Sequence, residues 1–116
     1  MQIETKAALD NTDEILSVPG VDAGFIGPYD LSSNLGFGIP PQWDNPEYIA
    51  AFDRTVEAGR RCGKPVGMYS SMDNIEWALE KGFRFNTVGN ADSFMMQGAK
   101  QALAKVGIQV QTKNQI

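Results

Sequence analysis

The chain has 116 residues, of which 42% are hydrophobic and 21% charged, with a formal net charge of -4. That suffices for one domain with a modest core, offers no basic footprint for nucleic-acid phosphates, and contains no apolar run near the roughly 20 residues of a membrane span. There is no histidine, so a His-liganded zinc, a Ser-His-Asp triad or a Cys-His pair cannot be assembled from these residues.

Met1 to Thr5 reads as a brief strand ending in a carboxylate, Glu4. Polar residues follow Met1 at once, unlike a secretory leader, and the one cysteine, Cys62, has no internal partner for a disulfide. Both point to a reducing, cytoplasmic setting. Asp10 to Glu14 supplies capping residues and early acids for a helix whose apolar face is Ile15, Leu16 and Val18, closed by Pro19-Gly20.

Val21 to Ile26 is a second, mostly apolar strand, of the kind buried in a parallel sheet. Gly27-Pro28 stops it, because proline lacks the N–H a sheet requires, and Leu31-Ser32 begin a turn. Ser32 to Asn45, rich in Gly, Pro, Asn and aromatics, reads as a long loop. Phe37 and Trp43 within it could form a lid, a subunit contact or ordinary surface.

Asn45-Pro46 starts a helix with a capping side chain and a proline at its first position. Ile49, Phe52 and Val56 supply its stripe, Arg60-Arg61 a solvated end, and Gly63 its stop. Cys62 there reads as a small buried hydrophobe. Pro65 to Tyr69 is a third strand, Ser71 or Asp73 caps a short helix to Gly82, and Phe83 to Val88 is a fourth strand. Asn90 opens a last helix, with Met96, Ala99 and Leu103 along one side and Met95-Met96 read as core filler. Residues 1–107 thus form one βα-repeating unit, and 108–116 a polar tail, either disordered or laid on a neighbour.

Four strands, each followed by a helix, predict parallel pairing with right-handed crossovers: a small open sheet or half of a (β/α)₈ barrel, which typically needs about 250 residues. In either case ligands sit at the carboxyl edge. Glu4 and Asp30 both fall there, and adjacent strands lie roughly 4.8 Å apart. Two converging carboxylates must share a proton or hold a cation; a divalent metal is the expectation, against a strand-end salt bridge or a helix cap. Asp22 is assigned to the turn before its strand.

Ile3-Glu4-Thr5, Gly20 to Ser32 (GVDAGFIGPYDLS) and Leu35-Gly36 resemble the HpcH/HpaI aldolase family of metal-dependent class II pyruvate aldolases. Glu4 and Asp30, 26 positions apart, have the spacing of that family's metal pair. The resemblance continues through Gly63-Lys64-Pro65 and Val88-Gly89 and covers the C-terminal half of the family's barrel. It implies a carbon–carbon lyase that cleaves 2-oxo-hydroxy acids to pyruvate and an aldehyde. Glu4 and Asp30 would hold Mg²⁺ or Mn²⁺. The amides of Tyr29 and Asp30, beside Gly27 and Pro28, would hold the pyruvate carboxylate.

Tyr69 falls where the family tends to place an apolar wall by the pyruvate methyl, a departure that would narrow the pocket. Tyr69 and Ser70 read equally as strand-end packing or substrate contact. The family's catalytic histidine, with its acidic partner, and its arginine lie on strands with no counterpart here, so no catalytic residue is identified within the chain. Homo-oligomerisation is expected to cover the open edges. The alternative is an inactive metal-binding or structural, oligomerising half-barrel.

Overall fold

The computed structural model describes residues 1–110. Ten elements follow one another: β1 (Gln2–Ile3), α1 (Lys6–Asp10), α2 (Thr12–Ser17), β2 (Gly24–Ile26), α3 (Pro28–Asn34), α4 (Pro46–Cys62), β3 (Val66–Met68), α5 (Ile75–Lys81), β4 (Phe85–Asn86) and α6 (Ala91–Lys105). The four strands form one parallel sheet in the order β1-β2-β3-β4. The fold is therefore α/β, with four parallel βα units, half the number in a (β/α)₈ barrel.

Register explains how the two faces differ. Ile3, Ile26, Met68 and Asn86 lie side by side in one row, and the first three are fully buried beneath the helices. Gln2, Phe25, Gly67 and Phe85 form the other row. That row is open: Phe85 is 59% exposed and Phe25 half-buried. Gly67 lets the Phe25 and Phe85 rings meet edge to face across it, with centroids 5.7 Å apart. A Cβ on Gly67 would stand 1.5 Å from the Phe85 carbonyl oxygen, so only glycine fits.

The covered face rests on α4. Asn45 caps it by accepting from the Glu47 and Tyr48 amides, Pro46 sits in its first turn, and Gly63 ends it at φ 63. Tyr48, Phe52, Thr55, Val56 and Gly59 repeat at helical spacing and are all buried. Each large apolar side chain there contributes about 1.5–3 kcal/mol of transfer free energy. Around Phe52 the rings of Tyr48, Trp43, Trp77 and Phe83 pack with centroids 4.9–6.0 Å away. Arg61 binds the Asp13 carboxylate through two N–H groups, at 2.8 and 2.7 Å, and so fastens α4 to α2.

Local hydrogen bonding moves several boundaries from their expected places. The first helix starts earlier, because the Thr5 hydroxyl accepts from the Ala8 amide, and it breaks at Asn11 into α1 and α2. Pro28 both stops β2 and starts α3, so the loop begins at Leu35 and not at Ser32. Neither Ser71 nor Asp73 caps α5. Asn74 occupies that position, and its side chain accepts from the Ser71 amide. Phe37 and Trp43 both meet the Tyr48 ring edge to face, and Trp43 remains 38% exposed. Cys62 is half-buried against the core.

The largest difference is α6. It has a reciprocal cap between Asn90 and Ser93, yet none of its residues is buried. Met95 and Met96, expected in the core, are 67% and 51% exposed, because no further described layer packs on this helix. The radius of gyration, 16.7 Å, accordingly exceeds the ~13 Å of a compact domain this size. Of the expected tail only 108–110 are described, and the rest lies outside the described residues. No described helix is long and apolar enough to cross a membrane.

Candidate functional site

The pairing of Ile3 with Ile26 brings the ends of β1 and β2 level, so Glu4 and Gly27 are neighbours as the chains leave the sheet. Glu4 is half-buried, while Asp30, in the first turn of α3, is exposed. A Cβ built on Gly27 would lie 2.8 Å from Glu4 Oε2 and 3.2 Å from Asp30 Oδ2. Both carboxylate oxygens therefore border the same small space above Gly27, and their separation cannot exceed the sum of those distances. Among the described residues neither carboxylate is ion-paired. Two unpaired carboxylates this close repel unless a proton or a cation lies between them.

The donor set fits a hard cation of the Mg²⁺ type, which commonly takes one or two protein carboxylates and completes its shell with water and substrate oxygens. It does not fit a fully caged ion: no group of three or more acidic, His or Cys side chains gathers among the described residues. Beside the acids, α3 offers the Tyr29 and Asp30 amides, first-turn donors that helix geometry leaves without intrahelical partners. Pro28 has no N–H to offer; its buried carbonyl accepts from the Tyr48 hydroxyl at 2.6 Å. That bond ties the first turn of α3 to α4.

Tyr69 emerges at the end of β3, 38% exposed. Its hydroxyl accepts from Asn90 Nδ2 at 3.0 Å, which leaves the phenolic proton free to donate. Ser70 is buried and serves packing: its amide donates to Thr87 Oγ1 and its hydroxyl to the Met68 carbonyl. A cleft of about 500 Å³ opens beside Pro28 and Tyr29, walled by Trp43, Tyr69 and Trp77, with Asp73 on its rim. Asp73 was expected as a helix cap, and Trp77 was not singled out in the sequence. Folding brings Trp77 to Trp43, with ring centroids 5.6 Å apart.

Parallel βα units with paired acids at the carboxyl ends of adjacent strands are the architecture of (β/α)-barrel enzymes, whose chemistry sits at that edge. The profile of the HpcH/HpaI aldolase/citrate lyase family matches residues 1–97, and the chain belongs to that family. It is 39% identical over 106 residues to a 4-hydroxy-2-oxo-heptane-1,7-dioate aldolase of Klebsiella pneumoniae subsp. pneumoniae, covering 90% of this chain and 39% of that one. A protein of the same name from Salmonella typhimurium is 36% identical over 110 residues, with 94% and 41% covered. The chain therefore spans about 40% of the length of these relatives.

Solved structures agree. An HpcH/HpaI aldolase/citrate lyase family protein from Burkholderia cenocepacia J2315 superposes with a TM-score of 0.84 at 30% identity, covering 92% of this chain and 41% of that one. The HpcH/HpaI aldolase from Desulfitobacterium hafniense DCB-2 gives 0.74 at 28% identity, with 97% and 44% covered.

Proposed function

We propose that this chain supplies the metal-binding half of an aldolase-type carbon–carbon lyase, which cleaves a 2-oxo-hydroxy acid to pyruvate and an aldehyde. Glu4 and Asp30 are the ligands of a divalent cation, Mg²⁺ or Mn²⁺. The observation that carries this reading is the convergence of their two oxygens on the space that Gly27 leaves empty. When bound, the cation supplies Lewis-acid stabilisation of the charge that builds on the 2-oxo acid as the carbon–carbon bond breaks.

The chain's own residues orient the ligand. The Tyr29 and Asp30 amides point at an incoming carboxylate as the start of a helix does. Gly27 and Pro28 keep the approach free of side chains and of a competing donor, and Tyr69 bounds the site from the neighbouring strand. With no histidine in the sequence, a histidine base would come from further polypeptide, and the family resemblance places the carbonyl-polarising arginine on the same further strands. The uncovered row of Gln2, Phe25, Gly67 and Phe85 supports that arrangement, as a face that four further strands would close; a second copy in a homo-oligomer would cover the same face but, having no histidine, would not supply that base.

Thermal unfolding with and without Mn²⁺ or Mg²⁺ tests the metal reading. Either ion is expected to raise the melting temperature by several degrees in the native sequence and to leave Glu4→Gln and Asp30→Asn unmoved. An equal rise in all three proteins would remove the site. Exchange of pyruvate methyl protons, measured with the chain alone and with the other four strands of a relative's barrel supplied, separates an active assembly from a metal-binding scaffold.

A further inference from the structure

Another cleft lies at the sheet edge opposite the acid pair. Val66 opens β3 and Arg84 immediately precedes β4, so both mark the amino ends of strands, whereas Glu4 and Gly27 follow the carboxyl ends of β1 and β2. Arg60, Lys64 and Arg84 line this cleft of about 290 Å³, with Val56, Pro65 and Val66 as apolar wall. The Arg60 guanidinium lies close over Gly82, where a Cβ would stand 3.1 Å from its Nη2. Lys6, Arg54, Arg61 and Lys81 are each paired with an aspartate, and Arg60 with Glu57. Of the lysines and arginines before α6, only Lys64 and Arg84 have no carboxylate partner among the described residues, and both line this cleft.

Cations near the carboxyl end of a helix often serve its exposed carbonyls. Here backbone amides already do so. The Gly59 and Arg60 carbonyls of α4 accept from the Lys64 and Gly63 amides, and the Ala78 and Leu79 carbonyls of α5 from those of Phe83 and Gly82. Arg84 bonds the Leu79 and Phe83 carbonyls through Nη1 alone, and Arg60 holds Glu57 through Nη1 alone. Each guanidinium is thus anchored at one nitrogen, while its Nη2 and Nε make no further bond among the described residues. A guanidinium has five N–H donors, so most of each fork is available to a ligand.

We propose that this cleft binds the phosphate group of a small anion. Two guanidinium forks and an ammonium match the several oxygens and the double charge of a phosphate. The apolar wall keeps water from one side and so strengthens the attraction. A monocarboxylate, with one charge and two oxygens, engages fewer of these donors. An occupant would tie the turn between α4 and β3 to the turn between α5 and β4, and so stabilise the folded chain. The cleft shares no residue with the acid pair, and the proposal is independent of the metal reading.

The experiment titrates the ¹⁵N-labelled 116-residue chain with inorganic phosphate, with glycerol phosphate and with acetate at constant ionic strength. It is run at about pH 7.5, where the phosphates are mostly dianions. Both phosphates are expected to shift the Gly63, Lys64 and Gly82 amide signals saturably, and acetate to bind about tenfold more weakly. Lys64→Gln should weaken phosphate about threefold or more, and Arg84→Gln likewise, whereas Lys100→Gln on α6 should leave it unchanged. Lys64 Nζ is in no ion pair among the described residues, so Lys64→Gln keeps the fold and decides the matter should Arg84→Gln fail to fold. Non-saturating shifts, acetate bound as tightly as phosphate, or undiminished affinity in Lys64→Gln would overturn the proposal. Tighter binding of glycerol phosphate than of the free ion assigns the group to an organic phosphate; equal binding assigns it to phosphate itself.

Discussion

The Tyr48 hydroxyl, on α4, donates to the Pro28 carbonyl, on α3, at 2.6 Å. The bond links the core's main helix to the turn that carries Asp30. Burial, with a smaller effect from Tyr29, holds the Tyr48 phenol above its ordinary value of 10.0. The folded chain thus keeps the proton that the unfolded chain releases. Its contribution to stability is whole below pH 10 and is lost as pH rises beyond that. Tyr48→Phe should cost about 1 kcal/mol at neutral pH and flatten the alkaline limb of stability against pH, as followed by urea unfolding from pH 8 to 11. An unchanged alkaline limb would mean that the phenol ionises freely in the fold.

At the acid end of the scale the sign reverses. Arg61 hydrogen bonds hold the Asp13 carboxyl below its ordinary 3.8. Asp13 therefore contributes in full above about pH 4 and loses that contribution as pH falls through the lowered value. Asp13→Asn should lower stability at pH 7 by a small amount, since the pair is exposed, and should reduce the loss on acidification. Salt should shrink the difference between the two proteins, which denaturant melts at low and high ionic strength would detect.

Gly27→Ala tests the acid pair without removing either acid. Its backbone, φ -91 and ψ 100, is open to alanine, and the nearest neighbours of the new methyl are side-chain atoms of Glu4 and Asp30. Divalent-ion affinity should fall about tenfold or more, while the melting temperature without metal stays within a degree or two. Undiminished Mn²⁺ affinity by calorimetry would show that ions bind elsewhere.

Gly67→Ala asks something harsher of the sheet. The Phe85 carbonyl occupies the place the methyl needs, and rigid backbone on both sides prevents relief. We expect a loss of about 3 kcal/mol or a chain that fails to fold. Circular dichroism that matches the native protein, with an unchanged melting point, would contradict the observed strand spacing.

The alternation of strands and helices was legible because each βα unit carries its own punctuation: Gly27-Pro28, Asn45-Pro46, Gly63 and Gly82. The acid pair was legible from its position at two strand ends and from the family resemblance of the residues around it. Three features were not. Pro28 was read as a strand terminator, although the same fixed φ also starts a helix. Met96 and Leu103 repeat like a core stripe, but periodicity cannot say whether anything packs against that stripe. Trp43 and Trp77 are 34 positions apart with no shared motif, and their meeting depends on where α4 places Phe52 between them.

Because α6 stands clear of the layered body, the described molecule measures 54 × 27 × 21 Å along its principal axes. A particle twice as long as it is wide rotates unevenly in solution. Amides whose N–H vectors run along the long axis, as those of a helix pointing that way do, would relax more quickly in transverse NMR experiments than amides across it. Where such anisotropy disappears, the helix has found a surface to lie against.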